Sequence, residues 1–208
     1  MEKHVYFIRH GQTDSNIDGI HRGRHAMLTD EGRDQAETVA KRIAKIGIDA
    51  LLASSFPRAL DTAAVIAQRT GLDVEAQDIF VEWLEPTPMF GKHKDDPHIR
   101  ALYDEIVDAT DEHYRHSDEE TFAEFSGRAA QALRLLETHP SDRICVVTHG
   151  GFLHALFGTM VFKDRFTKAH FTGLLQHLHT TNTGITHARY DAGHGWRIMS
   201  WNDRAHLG

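Results

Sequence analysis

Three short apolar runs, over residues 4–8, 48–53 and 143–148, constrain this chain most. After each comes a polar break, and after each break a stretch with helical periodicity. Runs of that length, bounded by turn residues, read as buried strands. Strands that alternate with amphipathic helices fit a largely parallel sheet with helices packed on its faces, because a parallel crossover needs a helix-length connection. The expected architecture is therefore α/β, a three-layer sandwich with a mostly parallel central sheet flanked by helices.

The intervening segments carry their own boundary signals. Residues 9–28 read as a polar loop containing Gly11, Gly19 and Gly23. Thr29 suits a helix N-cap, with Asp30 and Glu31 in the first turn. Ala36, Val39, Ala40, Ile43 and Ile46 keep helical spacing, and Gly47 suits the C′ position. Pro57 suits the start of a second helix, whose expected apolar stripe is Leu60, Ala63, Ala64 and Ala67, ended by Gly71. Residues 72–82 read as strand-like and lead to Glu82. Trp83 to about Glu120 holds three of the five prolines and many charges, and reads as an insert or cap with a short helix around 98–109. The whole chain reads as one domain carrying that insert. Ser117 to Glu120 resembles a capping box. Phe122, Phe125, Ala129, Leu133 and Leu136 mark the next helix, and another is expected over 152–162. The C-terminal part reads as a meander of three strands, 174–181, 185–190 and 196–201.

Composition narrows the function. The chain has 208 residues, with 23 Lys and Arg against 30 Asp and Glu, a formal charge of −7. That balance argues against general nucleic-acid or membrane-surface binding. An anionic substrate would need a local basic pocket in an acidic body. The single cysteine, Cys145, lies in an apolar run and reads as a buried, inert thiol. With no signal-peptide pattern and no apolar run near the ~20 residues a spanning helix needs, a cytoplasmic protein is expected.

Three chemically loaded motifs share one topological position. Arg9-His10-Gly11 follows the first strand, Ser54 to Arg58 the second, and His149-Gly150 the third. Ligands of open α/β sheets bind outside the carboxyl ends of the strands. Arg9, His10, Arg58 and His149 should therefore meet at one edge, where helix N-termini add N–H groups that favour an anion. Arginine reads phosphate bidentately, and histidine serves as nucleophile, acid or base. The combination points to phosphoryl chemistry on a histidine.

The motifs resemble the histidine phosphatase superfamily, the phosphoglycerate mutase-like group. The resemblance rests on Arg9-His10-Gly11-Gln12-Thr13 with Asn16, on Leu28-Thr29-Asp30-Glu31-Gly32 with Gln35-Ala36, on Ser54-Ser55-Phe56-Pro57-Arg58-Ala59 with Thr62-Ala63, and on Thr148-His149-Gly150-Gly151. The tail from Asn182-Thr183 through Trp196 to Asn202 is also similar. Four motifs in order are specific where a lone Arg-His-Gly is not. The resemblance implies that His10 attacks phosphorus and forms a phosphohistidine, while Arg9, Arg58 and His149 hold the transferring oxygens. It assigns Glu82, by position, as the general acid; Glu85 lies close by, and the plainer reading of either is a solvated carboxylate. It further implies that Asn16, Arg22 and Gly23 contact phosphate or substrate, and that neither a metal nor another cofactor is needed. His25 stands where many relatives carry an acid, and His154 where an arginine is common. His154 by itself reads as a helix-surface residue.

In the insert, Lys92, His93, Lys94, Arg100, His113, Arg115 and His116 are candidates for the mouth of the site, although solvated side chains are the simpler reading. His113 and His116 have metal-ligand spacing without a specific pattern around them. The leading expectation is a metal-independent phosphomonoester phosphatase acting on a small phosphorylated substrate. The alternatives are a cofactor-dependent phosphoglycerate mutase and a non-catalytic phospho-ligand binding protein. Trp83-Leu84-Glu85-Pro86 follows the acid where mutases of the group usually carry histidine, tyrosine and a closing glycine, which favours the phosphatase.

Overall fold

A computed structural model describes residues 2–208. Its sheet has six strands in the order β3-β2-β4-β1-β5-β6. These are β1 (Glu2–Arg9), β2 (Ala50–Ser54), β3 (Val74–Gln77), β4 (Arg143–Thr148), β5 (Ile185–Asp191) and β6 (Gly195–Asp203). The first four pair in parallel, β5 adds antiparallel to β1, and β6 adds antiparallel to β5. Seven α-helices accompany them: α1 (Asp14–Asp18), α2 (Asp30–Ile46), α3 (Pro57–Thr70), α4 (Pro97–Asp108), α5 (Phe122–Thr138), α6 (Gly150–Phe162) and α7 (Lys168–His177).

Alternation along the strands divides the core in two. Val5, Phe7, Leu52, Ile144 and Val146 face α5 and α6, where they meet Phe125, Leu133, Phe152 and Leu156. Tyr6, Ile8, Leu51, Ala53 and Val147 face the other way, onto Val39 and Ile43 of α2 and Ala63 and Ile66 of α3. The sheet is thus the middle of three layers. Cys145 is fully buried in the second core, where burial pushes its thiol far up and away from reactivity.

Several helix boundaries follow their sequence signals. The Thr29 side chain accepts from the Gly32 N–H, and Gly47 closes α2 at φ 74°. Pro57 opens α3, and Gly71 ends it in the left-handed region.

Other expectations are corrected. Residues 174–181 are not a strand: Leu174 to His177 are the last turn of α7, so the C-terminal meander has two strands. Thr167 caps α7 by accepting from the His170 N–H, a box closed by histidine rather than by the usual Glu or Gln. The capping box of α5 is Thr121 with Glu124, not Ser117 to Glu120. The buried stripe of α3 is Ala59, Thr62, Ala63 and Ile66, while Ala64 is exposed. The strand after α3 ends at Gln77, and a 3-10 turn over Asp78–Phe80 carries the chain to Glu82. The 9–28 segment, expected as loop, includes the one-turn helix α1.

Two glycines join the first loop to α2. A Cβ on Gly11 would stand 2.4 Å from the Gly32 carbonyl oxygen, and one on Gly32 would stand 2.1 Å from that of Gln12. The backbones touch, which pins the loop after β1 above the start of α2. No helix among the described residues is long and apolar enough to cross a membrane.

Candidate active site

The carboxyl ends of β1, β2 and β4 meet under a cavity of about 790 Å³. Arg9, His10, Asn16, Arg22, Gly23, Arg58 and Glu82 all line it. His149 lies directly behind, fully buried, with its ring centroid 5.2 Å from that of His10. Residues predicted to converge from three strand ends therefore do so.

His10 directly follows β1 and is 5% exposed. Its Nδ1 lies 2.7 Å from the carbonyl oxygen of Gly11. A carbonyl only accepts, so Nδ1 carries the proton and Nε2 keeps its lone pair. The Arg58 Nε–H donates toward that lone pair at 3.2 Å. Burial, then Arg58 and then Arg9, hold His10 well below the ordinary histidine range, so it is neutral. Arg58, at the start of α3, is anchored by donating to the Gly23 carbonyl at 2.8 Å. Burial lowers its guanidinium to about 10, opposed by Glu82 and Glu85, which leaves it charged at neutral pH. Arg9 donates through Nη1 to the Thr180 carbonyl at 2.6 Å, while its Nε is buried with no partner among the described residues.

His149 is held by Ser54. The His149 Nε2 to Ser54 Oγ distance is 2.7 Å, and Ser54 Oγ also accepts from the Phe56 N–H at 3.2 Å. The hydroxyl proton is then available to Nε2, and its donation there would leave the ring proton on Nδ1. That Nδ1 is buried and has no partner among the described residues. Burial, then Arg58, His10 and Arg9, keep His149 well below its ordinary range.

Glu82 sits at the N-terminus of α6. Its Oε2 accepts from the Gly151 N–H at 2.9 Å, and its Oε1 from the N–H groups of Phe152 at 2.9 Å and Trp83 at 3.0 Å. A Cβ on Gly151 would come within 2.6 Å of Oε1, so the second glycine of Gly150-Gly151 makes room for this carboxylate. Arg128 of α5 holds the segment from below. Its guanidinium forks onto Glu120 at 2.6 and 2.8 Å and also donates to the carbonyls of Val81 at 2.6 Å and Glu82 at 3.2 Å.

Asn16 has its amide orientation fixed from outside. Its Oδ1 accepts from the Thr13 N–H at 3.0 Å and from Asn182 Nδ2 at 3.2 Å, which leaves its NH₂ group as the free end. The same Asn182 Nδ2 donates to the His10 carbonyl at 3.0 Å. Arg22 lines the cavity, but its guanidinium is spent on Asp18, at 2.6 and 2.7 Å, and on Asp14 at 3.3 Å. His21 pairs with Glu85 at 2.9 Å.

From the 83–120 segment Trp83, Leu84, Glu85, Phe90 and Lys94 reach the cavity lining, whereas Lys92, His93, Arg100, His113, Arg115 and His116 do not. His116 lies instead 3.4 Å from Glu105. His154 corrects its surface reading: it is 3% exposed, with Nδ1 and Nε2 each 2.7 Å from a carbonyl, those of Gly150 and Leu178.

The residues whose positioning was missed are Ser54, Arg128 and Thr180. Ser54 was visible only as part of a motif. Arg128 carried a faint signal as a charge beside the Phe125–Ala129 stripe. Thr180 acts through its backbone and carried none.

Comparison with known proteins gives the chain a family. The chain is 29% identical to phosphoglycerate mutase-like protein 4 of Arabidopsis thaliana, over 98% of this chain and 86% of the relative. It is also 29% identical to the probable phosphoglycerate mutase GpmB of Enterobacter sp. (strain 638), over 98% and 94%. Its fold is similar to that of the phosphoserine phosphatase of Entamoeba histolytica, solved with 3-phosphoglyceric acid. There the TM-score is 0.79 and the identity 25%, covering 99% of this chain and all of the other. The family model of the histidine phosphatase superfamily, branch 1, matches residues 5–204. With that match over nearly its whole length, this chain belongs to the histidine phosphatase superfamily.

Proposed function

We propose that this protein is a phosphomonoester phosphatase that works through a phosphohistidine on His10 Nε2. The observation that carries the reading is the state of His10: neutral, with its Nδ1–H tied to the Gly11 carbonyl and its lone pair on Nε2. A neutral imidazole fixed in this tautomer is a competent nucleophile. In the resting arrangement Arg58 Nε occupies that lone pair. An arriving phosphoryl group takes over the Arg58 donor and releases the nitrogen for attack.

The transferring group then lies among fixed donors: Arg9 Nε, the Arg58 guanidinium, the His149 Nδ1–H and the Asn16 amide. Such donors stabilise the charge spread over the equatorial oxygens without reorganising. Ser54 keeps the His149 proton on Nδ1. Glu82 gives a proton to the leaving oxygen as the P–O bond breaks, and in the second half-reaction it takes one from the water that attacks the phosphohistidine. Two guanidiniums supply the positive charge this chemistry needs, so no step calls for a metal.

The names of the sequence relatives keep a mutase as the second reading. A mutase must hold a carboxylated phosphoester and return the phosphoryl group to it. Of the two guanidiniums at the mouth, Arg22 is already committed to Asp18 and Asp14, which leaves Arg24 alone to grip a carboxylate. That favours hydrolysis. The test is product analysis with 3-phosphoglycerate, with and without 2,3-bisphosphoglycerate, and with a chromogenic phosphomonoester in the presence of a chelator. Phosphate release without isomerisation supports the phosphatase. Isomerisation that depends on bisphosphoglycerate supports the mutase.

A further inference from the structure

A second, smaller cavity of about 190 Å³ adjoins the first on the far side of Glu82. Glu82, Trp83, Glu85, Gly151 and Leu175 line both. The wall of the annex is mostly aromatic and aliphatic: Trp83, Tyr103, Phe122, Phe125, Phe171 and Leu175. The wall is braced, since Trp83 Nε1 donates to the Glu120 carbonyl at 2.6 Å and Phe171 packs tilted against Phe122 and edge-on against Phe125. An apolar cavity of about 150 Å³ accepts benzene, so this volume accepts one aromatic ring.

Its position bears on what the phosphate is attached to. Glu82 is where the leaving oxygen must lie, and the next atoms of the leaving group pass beside it. On that side they meet the carboxylates of Glu82 and Glu85, with Lys168 as the cation of the annex, and Lys168 Nζ is already bonded to the Ile106 carbonyl. Glu85 at the entrance, and Glu82 once it has given up its proton, repel an anionic leaving group, and the wall beyond rewards an apolar one. On the mouth side Arg22 and His21 are paired with acids, while Arg24 and Lys94 stand exposed.

We infer that the annex is the leaving-group subsite, and that the substrate is the phosphomonoester of an uncharged alcohol bearing a single aromatic or compact apolar group. This rests on the phosphatase reading above and narrows its substrate class.

The test compares alkyl phosphates of similar intrinsic reactivity: benzyl phosphate, glycerol 3-phosphate and 3-phosphoglycerate. Wild type should give a kcat/KM for benzyl phosphate at least about 10-fold above the other two, the gain expected for burying a ring. Thr172→Trp, and separately Val107→Phe, fill the annex from residues outside the catalytic set. Each should remove that preference while glycerol 3-phosphate stays within about twofold of wild type. Binding of benzylphosphonate against methylphosphonate reads the same subsite without turnover, and the benzyl compound should bind about 10-fold more tightly. Equal or better use of 3-phosphoglycerate, or equal affinity for the two phosphonates, overturns the inference with the phosphatase reading intact. Tight, ring-selective phosphonate binding without hydrolysis of any ester keeps the subsite and overturns the phosphatase reading instead.

Discussion

Arg58 Nε donates to His10 Nε2 at 3.2 Å, so the lone pair of the proposed nucleophile and the guanidinium beside it hold each other in the resting site. On the proposed mechanism the pair makes Arg58 a guard of His10 as well as a ligand for phosphate. Arg58→Lys keeps the charge but loses the fork. It should lower kcat by about 10²–10³-fold, the usual loss for a fixed transition-state donor. Steady-state kinetics on a chromogenic ester checks this, and a variant that changes KM alone would assign Arg58 to ground-state binding.

Ser54 Oγ, at 2.7 Å from His149 Nε2, is placed to set which nitrogen of His149 bears the proton. Ser54→Ala frees His149 Nε2 to take it, and an unprotonated Nδ1 cannot donate to a phosphoryl oxygen. The expected loss is about 10–100-fold in kcat, with recovery in Ser54→Thr. Long-range ¹H–¹⁵N spectra should show His149 moving from the Nδ1–H to the Nε2–H tautomer. An unchanged tautomer with lost activity would mean that Ser54 matters only for packing.

Gly151 and Glu82 form a second coupled pair. Gly151→Ala would press on Glu82 Oε1 and displace the carboxylate. The defect should follow the leaving group: small for 4-nitrophenyl phosphate and about 10²-fold or more for alkyl phosphates, as for Glu82→Gln. Equal losses on both ester types would remove Glu82 as the acid.

Stability should depend on pH through the same histidines. Burial and the neighbouring guanidiniums hold His10 and His149 below their ordinary range in the fold. The unfolded chain binds their protons near pH ~6.5. Between that value and the lower folded values the unfolded state carries more protons, so stability present above ~6.5 is lost as the pH falls. Urea midpoints measured from pH 7.5 to 5 should decline, and His149→Gln should flatten the decline by about one proton. A variant profile parallel to wild type would contradict the assignment.

The legible parts of the chain were those where local pattern and tertiary role agree. The 143–148 run, the Thr29 cap and the Phe122–Leu136 spacing each state their structure directly, and the three strand ends with Arg9, His10, Arg58 and His149 follow from topology. What escaped was decided by contacts distant in sequence. Lys168–His177 lacks a buried stripe of its own and begins on a histidine capping box, so its helical period is weak. His154 resembles a surface residue until two carbonyls, one of them 24 residues away, close on its ring. Arg22 resembles a free substrate ligand until Asp14 and Asp18 take its guanidinium. In each case the residue type was informative and its partner was not.

The most direct test of the account is to trap the phosphoenzyme. The protein would be mixed with a ³²P-labelled phosphomonoester, quenched in alkali to preserve phosphoramidates, and mapped by peptide mass spectrometry. The expected result is one label per chain, stable to base and labile to acid, on His10 Nε2, and absent in His10→Ala. Full turnover by His10→Ala, or label on any other residue, would contradict it.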